Sequence, residues 1–363
     1  MRYIFVAGHP AHVHLFKNVI KVLVNGGHNV LVAAVEREVT IDLLRLLRIP
    51  HHLFGRTQPE MISKALGVLP KEVALLKLAR EFGPDLFIST GSPYAAHVSA
   101  VLAKPHLAFG DTEDAMLTAR ITLPFTDAVY TPSCYAGDLG PKHFRYNGYK
   151  ELAYLHPKYF QPNSAALDAA GLSRTDPFIV VRFASRDASH DLGVRGFSFK
   201  DGHGALSFIR ELERMGRVVI TADGRVGPPL DKFTLSVSPE RMHDILAFAK
   251  LYIGEGATMA AEAGVLGVPW IFISSRGRGF LSEQQDRYGL GFWVRDIHAA
   301  REAIGHVSRF NLGPEWRARR DRMLAEKEDV VSFISHVIEC WPSPPLPRVY
   351  GRDVASEPAE SNL

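Results

Sequence analysis

The sequence predicts an α/β protein made of two doubly wound units, each a parallel sheet with helices on both faces. Three observations carry this. Short apolar runs alternate with amphipathic segments of helical period, the pattern of strands buried on both faces. The alternation runs twice, broken once by a Gly-, Pro-, Tyr- and Asn-rich stretch at 135–165 that reads as a linker. Polar, glycine-containing turns follow the strands, which is where open α/β sheets hold their ligands.

The elements follow in order. "YIFVAG" reads as a buried strand and "HVHLFKNVIKVLVNGGH" as a helix, with Val13, Phe16, Val19, Ile20 and Leu23 on one face and Gly26 and Gly27 at its end. "NVLVAAV" is the next strand and "VTIDLLRLLRI" the next helix. A helix ending at "EFGP" leads to the strand "DLFIST" and the helix "YAAHVSAVLA". The strands "PHLAFG" and "TDAVYTP" complete the first series. The second series opens with "PFIVVRFA" and continues through the helix "ALSFIRELERMG", the strand "RVVITA" and the helix "ERMHDILAFA". The strand "KLYIGE", the helix "TMAAEAGVLG" and the strands "VPWIFIS" and "LGFWVRD" follow. Residues 315–339 read as one long terminal helix. The Pro-rich tail, 341–363, has no apolar period and reads as poorly ordered. The expected organisation is therefore a first unit at 1–155, a second at 156–340, and the tail. Two such units in tandem leave a cleft between them.

Composition narrows the function. The 363 residues carry a formal net charge of +3, too mild for a nucleic-acid surface. No apolar run approaches the ~18 residues of a membrane span, and the N-terminus reads as a strand rather than a signal peptide. Cys134 and Cys340 show no metal-ligand spacing and read as free thiols of a reducing compartment, so a cytoplasmic protein is expected. Neither a P-loop nor a G-x-G-x-x-G fingerprint occurs.

Chemistry-bearing residues gather in the turns after strands. In "GEGATMAAEAGVLGVPWIFI", residues 254–273, Gly254 and Gly256 precede a helix whose free N–H groups attract an anion such as a diphosphate. Thr258 suits a cap or a phosphate oxygen. Glu262 lies one turn on, on the same face, placed to accept from two ribose hydroxyls. The plain alternative is a tight turn with a surface glutamate. "AGHPAHVH" sets His9, His12 and His14 at a strand–helix junction, where a histidine serves as general base. His12 and His14 lie about 200° apart round the helix, so they cannot face one atom. "FGDTED" offers Asp111, Glu113 and Asp114 as base, charge stabiliser or helix cap. "VVRFASRDASH" brings Arg182, Arg186 and His190 to a strand end, and "SSRGRGF" brings Arg276 and Arg278. Arginine is the side chain best suited to phosphate oxygens. No metal site is evident.

The 254–273 stretch resembles the donor-binding segment of the GT-B glycosyltransferases that include the MurG-type N-acetylglucosaminyltransferases. It is also similar to the matching segment of the UDP-N-acetylglucosamine 2-epimerases. The order "AGHPAHVHLFKNVIKVLVNGGHNVLV", "PDLFISTGSPYAAHVSAVL", "FGDTEDA", "YNGYKELAYL", "VVRFASRDASH", "GATMAAEAGVLGVP" resembles the GT-B relatives grouped as domain-of-unknown-function family 354. The resemblance implies a GT-B-like fold of two Rossmann-like domains, acceptor side first and donor side second. It also implies a metal-independent glycosyltransferase using a nucleotide sugar, UDP-linked, in polysaccharide biosynthesis. By this match Gly256, Thr258 and Met259 hold the diphosphate, Glu262 the ribose, and His12 is the better base. Glu113 matches a catalytic glutamate of the 2-epimerases. Ser92 stands where those enzymes carry an acid, which counts against epimerase chemistry. A sugar-nucleotide epimerase and a non-catalytic sugar-nucleotide-binding protein are the alternatives. The resemblance leaves the acceptor open between a glycan and a lipid-linked carrier, the second met through peripheral membrane contact.

Overall fold

The computed structural model describes residues 1–36, 38–56, 68–113, 116–183, 197, 199, 202–222, 226–235, 237–310 and 312–343. The sequence-derived expectations for Asp114, Arg186, His190 and residues 344–363 lie outside these.

The first half runs β1 (Arg2–Ala7), α1 (Pro10–Asn25), β2 (Asn29–Glu36), α2 (Glu38–Leu46) and β3 (His51–Arg56). It continues with α3 (Val68–Phe82), β4 (Leu86–Ser89), α4 (Pro93–Val101), β5 (His106–Phe109), α5 (Met116–Thr122), β6 (Ala128–Pro132) and β7 (His143–Tyr146). These strands form a 7-stranded sheet in the order β3-β2-β1-β4-β5-β6-β7, every pairing parallel. Strand alternation splits β1 between two cores. Tyr3, Phe5 and Ala7 join α1 on one face, where Phe5 meets Phe16 edge-on. Ile4 and Val6 join Leu75 and Ala79 of α3 and Val98 of α4 on the other.

Two short helices, α6 (Leu152–Leu155) and α7 (Ala165–Ala169), lead into the second half. Next come β8 (Phe178–Phe183), α8 (Gly202–Glu213), β9 (Arg217–Ala222), α9 (Met242–Leu246), β10 (Leu251–Gly254), α10 (Ala257–Leu266) and β11 (Trp270–Ile273). The chain ends with α11 (Gly279–Asp286), β12 (Gly291–Val294), α12 (Ile297–Val307), α13 (Leu312–Glu326) and α14 (Val330–Glu339). The second sheet is 5-stranded, order β12-β11-β10-β8-β9, again with every pairing parallel.

Several segments differ from expectation, among them the edge strand His51–Arg56, to which the sequence reading gives no element. The 135–165 stretch is more than a linker, because His143–Tyr146 adds the last strand of the first sheet. Arg145 fixes it there by donating to the carbonyls of Ser133, Tyr135 and Gly137. The single terminal helix is two helices. The break falls at Asp329, whose carboxylate accepts from Ser332 N and caps α14.

That break ties the halves together. Lys327, 9% exposed, donates to Asn147 of the first half and to both oxygens of Glu283 on α11. Tyr149 donates to the same Glu283 carboxylate at 2.6 Å. Helix α14 then packs back on α1 and α6. Across the same junction the turn after β5 meets the start of α11, Glu113 accepting from Gly279 N.

Candidate functional site

Each sheet has one place where its strand order reverses, and each reversal carries one of the sequence motifs. In the first sheet the reversal lies between β1 and β4. The turn after β1 ends at His9, the N-cap of α1, whose Nδ1 accepts from Ala11 N. His12 sits one turn in. Its Nδ1 accepts from Gly8 N at 3.3 Å, and its Nε2 lies 2.8 Å from Thr90 Oγ1 in the turn after β4. An accepting Nδ1 carries no proton, so in this arrangement Nε2 is the donor and Thr90 the acceptor.

Thr90 is placed by a buried chain of hydrogen bonds that sequence reading missed. Ser89 Oγ accepts from Gly91 N and Ser92 N, so its own proton goes to His106 Nε2 at 2.8 Å. His106 Nδ1 then donates to Thr126 Oγ1, which donates to the Thr122 carbonyl. Burial pushes the His106 imidazole down to about 3, so it stays neutral.

The acids after β5 go to separate places. Asp111 is buried and ion-paired with Lys150 Nζ at 2.6 Å. Glu113 reaches across to the second half. Its Oε1 accepts from Ala136 N and from Gly279 N, the first residue of α11, each at 3.1 Å. It therefore caps a helix of the opposite half, which a carboxylate at a positive helix end favours.

In the second sheet the reversal lies between β8 and β10, where Gly254 pairs directly with Arg182. The glycines make room for that arginine. A Cβ on Gly254 would meet Arg182 O at 2.6 Å, and one on Gly256 would meet Arg182 Cδ at 3.0 Å. Tyr252 OH donates to the Gly256 carbonyl and fixes the turn. Gly256 is the N-cap of α10 and supplies no side-chain bond to the first turn. Thr258 is not the cap. It lies inside the first turn, half-buried like its neighbour Met259, which packs against the core. Arg276 is exposed beyond β11, with its N–H bonded to Ser274 Oγ. Arg278 is the N-cap residue of α11.

Glu262 is not on the surface. It is 6% exposed, and its Oε1 accepts from Tyr154 OH at 2.8 Å and from His243 Nε2 at 3.0 Å. Burial alone would raise its carboxyl. The His243 charge and hydrogen bond, the Tyr154 hydroxyl and Lys150 overcome this and hold it below the usual carboxylate value. His14 joins the same group rather than the His12 side of the helix. It stacks on Tyr154 at 5.1 Å and meets His243 edge-on at 4.7 Å. Its Nδ1 is buried without a partner. Burial, followed by His243 and Lys17, drives its imidazole well below the ordinary value. Lys17, above the Tyr154 ring, is lowered to about 8, first by burial.

The structure thus unites His14, Tyr154, His243 and Glu262 across the two halves, and Arg182 with Gly254 and Gly256. His12, Asp111 and Glu113 have three different sets of partners. Lys150, Tyr154, His243 and His106 were not among the sequence candidates. "YNGYKELAYL" held the one available signal, two adjacent ionisable residues inside an aromatic and aliphatic run. Among the described residues no group of His, Cys, Asp or Glu could hold a metal ion, both cysteines are free, and no helix is long and apolar enough to cross a membrane. A surface cavity of about 530 Å³, lined by Glu213, Arg217 and Lys232, lies against the outer strand β9, away from both reversals.

Comparison with known proteins agrees with this architecture. The family described as "Protein of unknown function (DUF354)" matches residues 3–200. No curated protein sequence matches. Among solved structures, S. aureus MnaA with UDP superposes with a TM-score of 0.68 at 10% identity, over 93% of this chain and 96% of that one. The UDP-GlcNAc 2-epimerase of Neisseria meningitidis bound to UDP-GlcNAc gives 0.63 at 12% identity, over 93% and 98%. The Streptomyces sp. SF2575 glycosyltransferase SsfS6, complexed with thymidine diphosphate, gives 0.59 at 16% identity, over 93% and 99%. The fold is GT-B-like, two parallel sheets in an arrangement shared by glycosyltransferases and UDP-GlcNAc 2-epimerases.

Proposed function

We infer a function from the premise that this chain belongs to the DUF354 family, proteins of unknown function, and that its structural neighbours are enzymes binding nucleotides or nucleotide sugars. The reading is a metal-independent glycosyltransferase. A nucleotide-diphosphate sugar, UDP-linked like the UDP-GlcNAc of one neighbour and sharing the UDP of another, binds the second half, 156–340, and the acceptor binds the first, 1–155. One observation carries it. Arg182 and Gly254 flank the strand-order reversal of the second sheet, directly before a ten-residue helix whose N-cap is a glycine and whose first turn has no side-chain cap among the described residues. Such a helix end with an adjacent guanidinium suits a diphosphate.

In this reading the N–H groups of Ala257, Thr258 and Met259 and the Arg182 guanidinium meet the diphosphate, and Arg276 approaches from the exposed loop. Glu262 takes the ribose hydroxyls once Tyr154 withdraws from it. His12 exchanges Thr90 for the acceptor hydroxyl and, by proton exchange with solvent, takes the neutral tautomer with its proton on Nδ1, giving up the bond from Gly8 N; the vacated Nε2 then accepts the hydroxyl proton. The acceptor oxygen bonds to the sugar anomeric carbon, and the nucleoside diphosphate leaves with the electron pair of the broken bond. The helix end and Arg182 offset the charge that develops on it.

The buried carboxyl group of Asp111 supports a second reading, a sugar-nucleotide epimerase or hydrolase. Incubation with UDP-GlcNAc, with and without a mixed glycan acceptor pool, separates the two. Acceptor-dependent release of UDP that His12→Ala abolishes supports the transferase. Release of UDP and free sugar without acceptor supports the epimerase.

A further inference from the structure

One buried acid has no part in the reaction above. Glu151 directly precedes α6, is 1% exposed, and has no hydrogen-bond partner on either carboxyl oxygen. An ionised carboxylate so placed costs several kcal/mol unless it is paired. The groups acting on it come from each side. Lys150 adjoins it, Asp111 faces it from the turn after β5, and Glu262 faces it from α10. Tyr146 of β7 and Tyr154 of α6 also sense it. Helix α1 sets His14 and Lys17 beyond Tyr154, and the buried face of α14 is apolar apart from Ser335.

The charge count around it is decisive. Lys150, the preceding residue, is the cation that acts on it, and its Nζ is already 2.6 Å from Asp111. Glu262 is served by His243 and Tyr154. Two carboxylates therefore share one ammonium, and the carboxylate left over is the one without hydrogen bonds. We propose that Glu151 is a positioning residue that carries a proton and so leaves the Lys150 ammonium wholly to Asp111. When that proton is lost, Lys150 is drawn between two carboxylates and Asp111 is released. Burial pushes the Glu151 carboxyl up, Asp111 and Glu262 add to this, and Lys150 and the residue's own backbone N–H oppose it. The functional consequence rests on the second reading above, in which the Asp111 carboxyl takes part in the reaction. The protonation state does not.

Two measurements on the full chain test it. Infrared spectroscopy of the wild type at neutral pH detects a protonated carboxyl, which is expected and is expected to be missing in Glu151→Gln. Thermal melting of both proteins from pH 5 to 9 gives the profile. A carboxyl raised in the folded state binds its proton more tightly there than in the unfolded chain. Its stabilisation is therefore lost as pH rises from the ordinary glutamate value through the raised one. Glu151→Gln should gain on the wild type steadily across that window, by up to about tenfold in folding equilibrium per pH unit. A difference that is flat or shrinks with pH, or the absence of a protonated carboxyl in the wild type, overturns the proposal. Nucleotide binding by calorimetry tests the donor reading separately. Its failure with the infrared and melting results intact would remove the reading and leave the Glu151 assignment standing.

Discussion

Tyr154→Phe separates what stabilises the fold from what binds the ligand. The phenol donates to Glu262 Oε1 at 2.8 Å in a buried setting. A hydrogen bond to a charged group contributes about 1.5–3 kcal/mol. Phenylalanine keeps the ring that stacks on His14 and removes only the donor. The carboxylate is not orphaned, because His243 still donates to the same oxygen. The variant should therefore fold but lose about 1.5–3 kcal/mol, read as a lower denaturant midpoint at unchanged slope. Nucleotide affinity should move the other way. If a ribose must displace Tyr154 to reach Glu262, the wild type spends that hydrogen bond on binding and the variant does not. The expected gain is up to about 10- to 150-fold, the same free energy converted to an equilibrium ratio. Calorimetric titration of UDP into both proteins measures it. Weaker binding by Tyr154→Phe would refute the competition and make Tyr154 a ligand contact.

Three further outcomes follow from the same geometry. Gly279→Ala places a Cβ 1.9 Å from the Cys134 carbonyl and pushes α11 off the Glu113 cap. A loss of about 1–3 kcal/mol and faster proteolysis between the halves are expected. The neutral His106 makes the chain acid-sensitive. Its folded-state value of about 3 lies below the ordinary histidine value, so stability falls as pH drops from about 6.5 towards 3, by at most about 5 kcal/mol. His106→Gln should flatten that limb in acid melting curves. Gly256→Ala crowds the Arg182 side chain and the Tyr252 hydroxyl, with no backbone atom among the nearest contacts of the added Cβ. It should change stability by under about 1 kcal/mol while reducing UDP affinity tenfold or more, as one arginine–phosphate contact is displaced.

The parallel sheets were legible because strands buried on both faces leave nearly continuous apolar runs, as in "YIFVA" and "WIFI". The strands that sequence reading missed are the two edges of the first sheet. In His51–Arg56 and His143–Tyr146 most residues keep some exposure, so the apolar run is lost. The terminal helix was read as continuous because the chain pattern does not reveal that Lys327 is buried against Tyr149 and Glu283. At the site, the strand-end turns could be located from sequence, since glycine and polar residues after apolar runs mark them. The partners of each side chain could not. Glu262 looks like an exposed ribose acceptor until Tyr154 arrives from 108 residues away. Gly254 looks like ligand clearance until the Arg182 backbone is seen against it. Lys150 and Glu151 sat in a segment taken for a linker, and only packing by α1, α10 and α14 gives them a charged interior.

The central claim is that the β8–β10 reversal and the start of α10 hold a nucleoside diphosphate. Titrating UDP and uridine into wild type and Arg182→Ala by calorimetry tests it most directly. The account predicts that UDP binds the wild type, that uridine binds far more weakly, and that Arg182→Ala loses at least about tenfold in UDP affinity, the effect of one charged phosphate contact. A wild type that binds UDP no tighter than about 1 mM, or an Arg182→Ala variant that binds it equally well, would contradict the account.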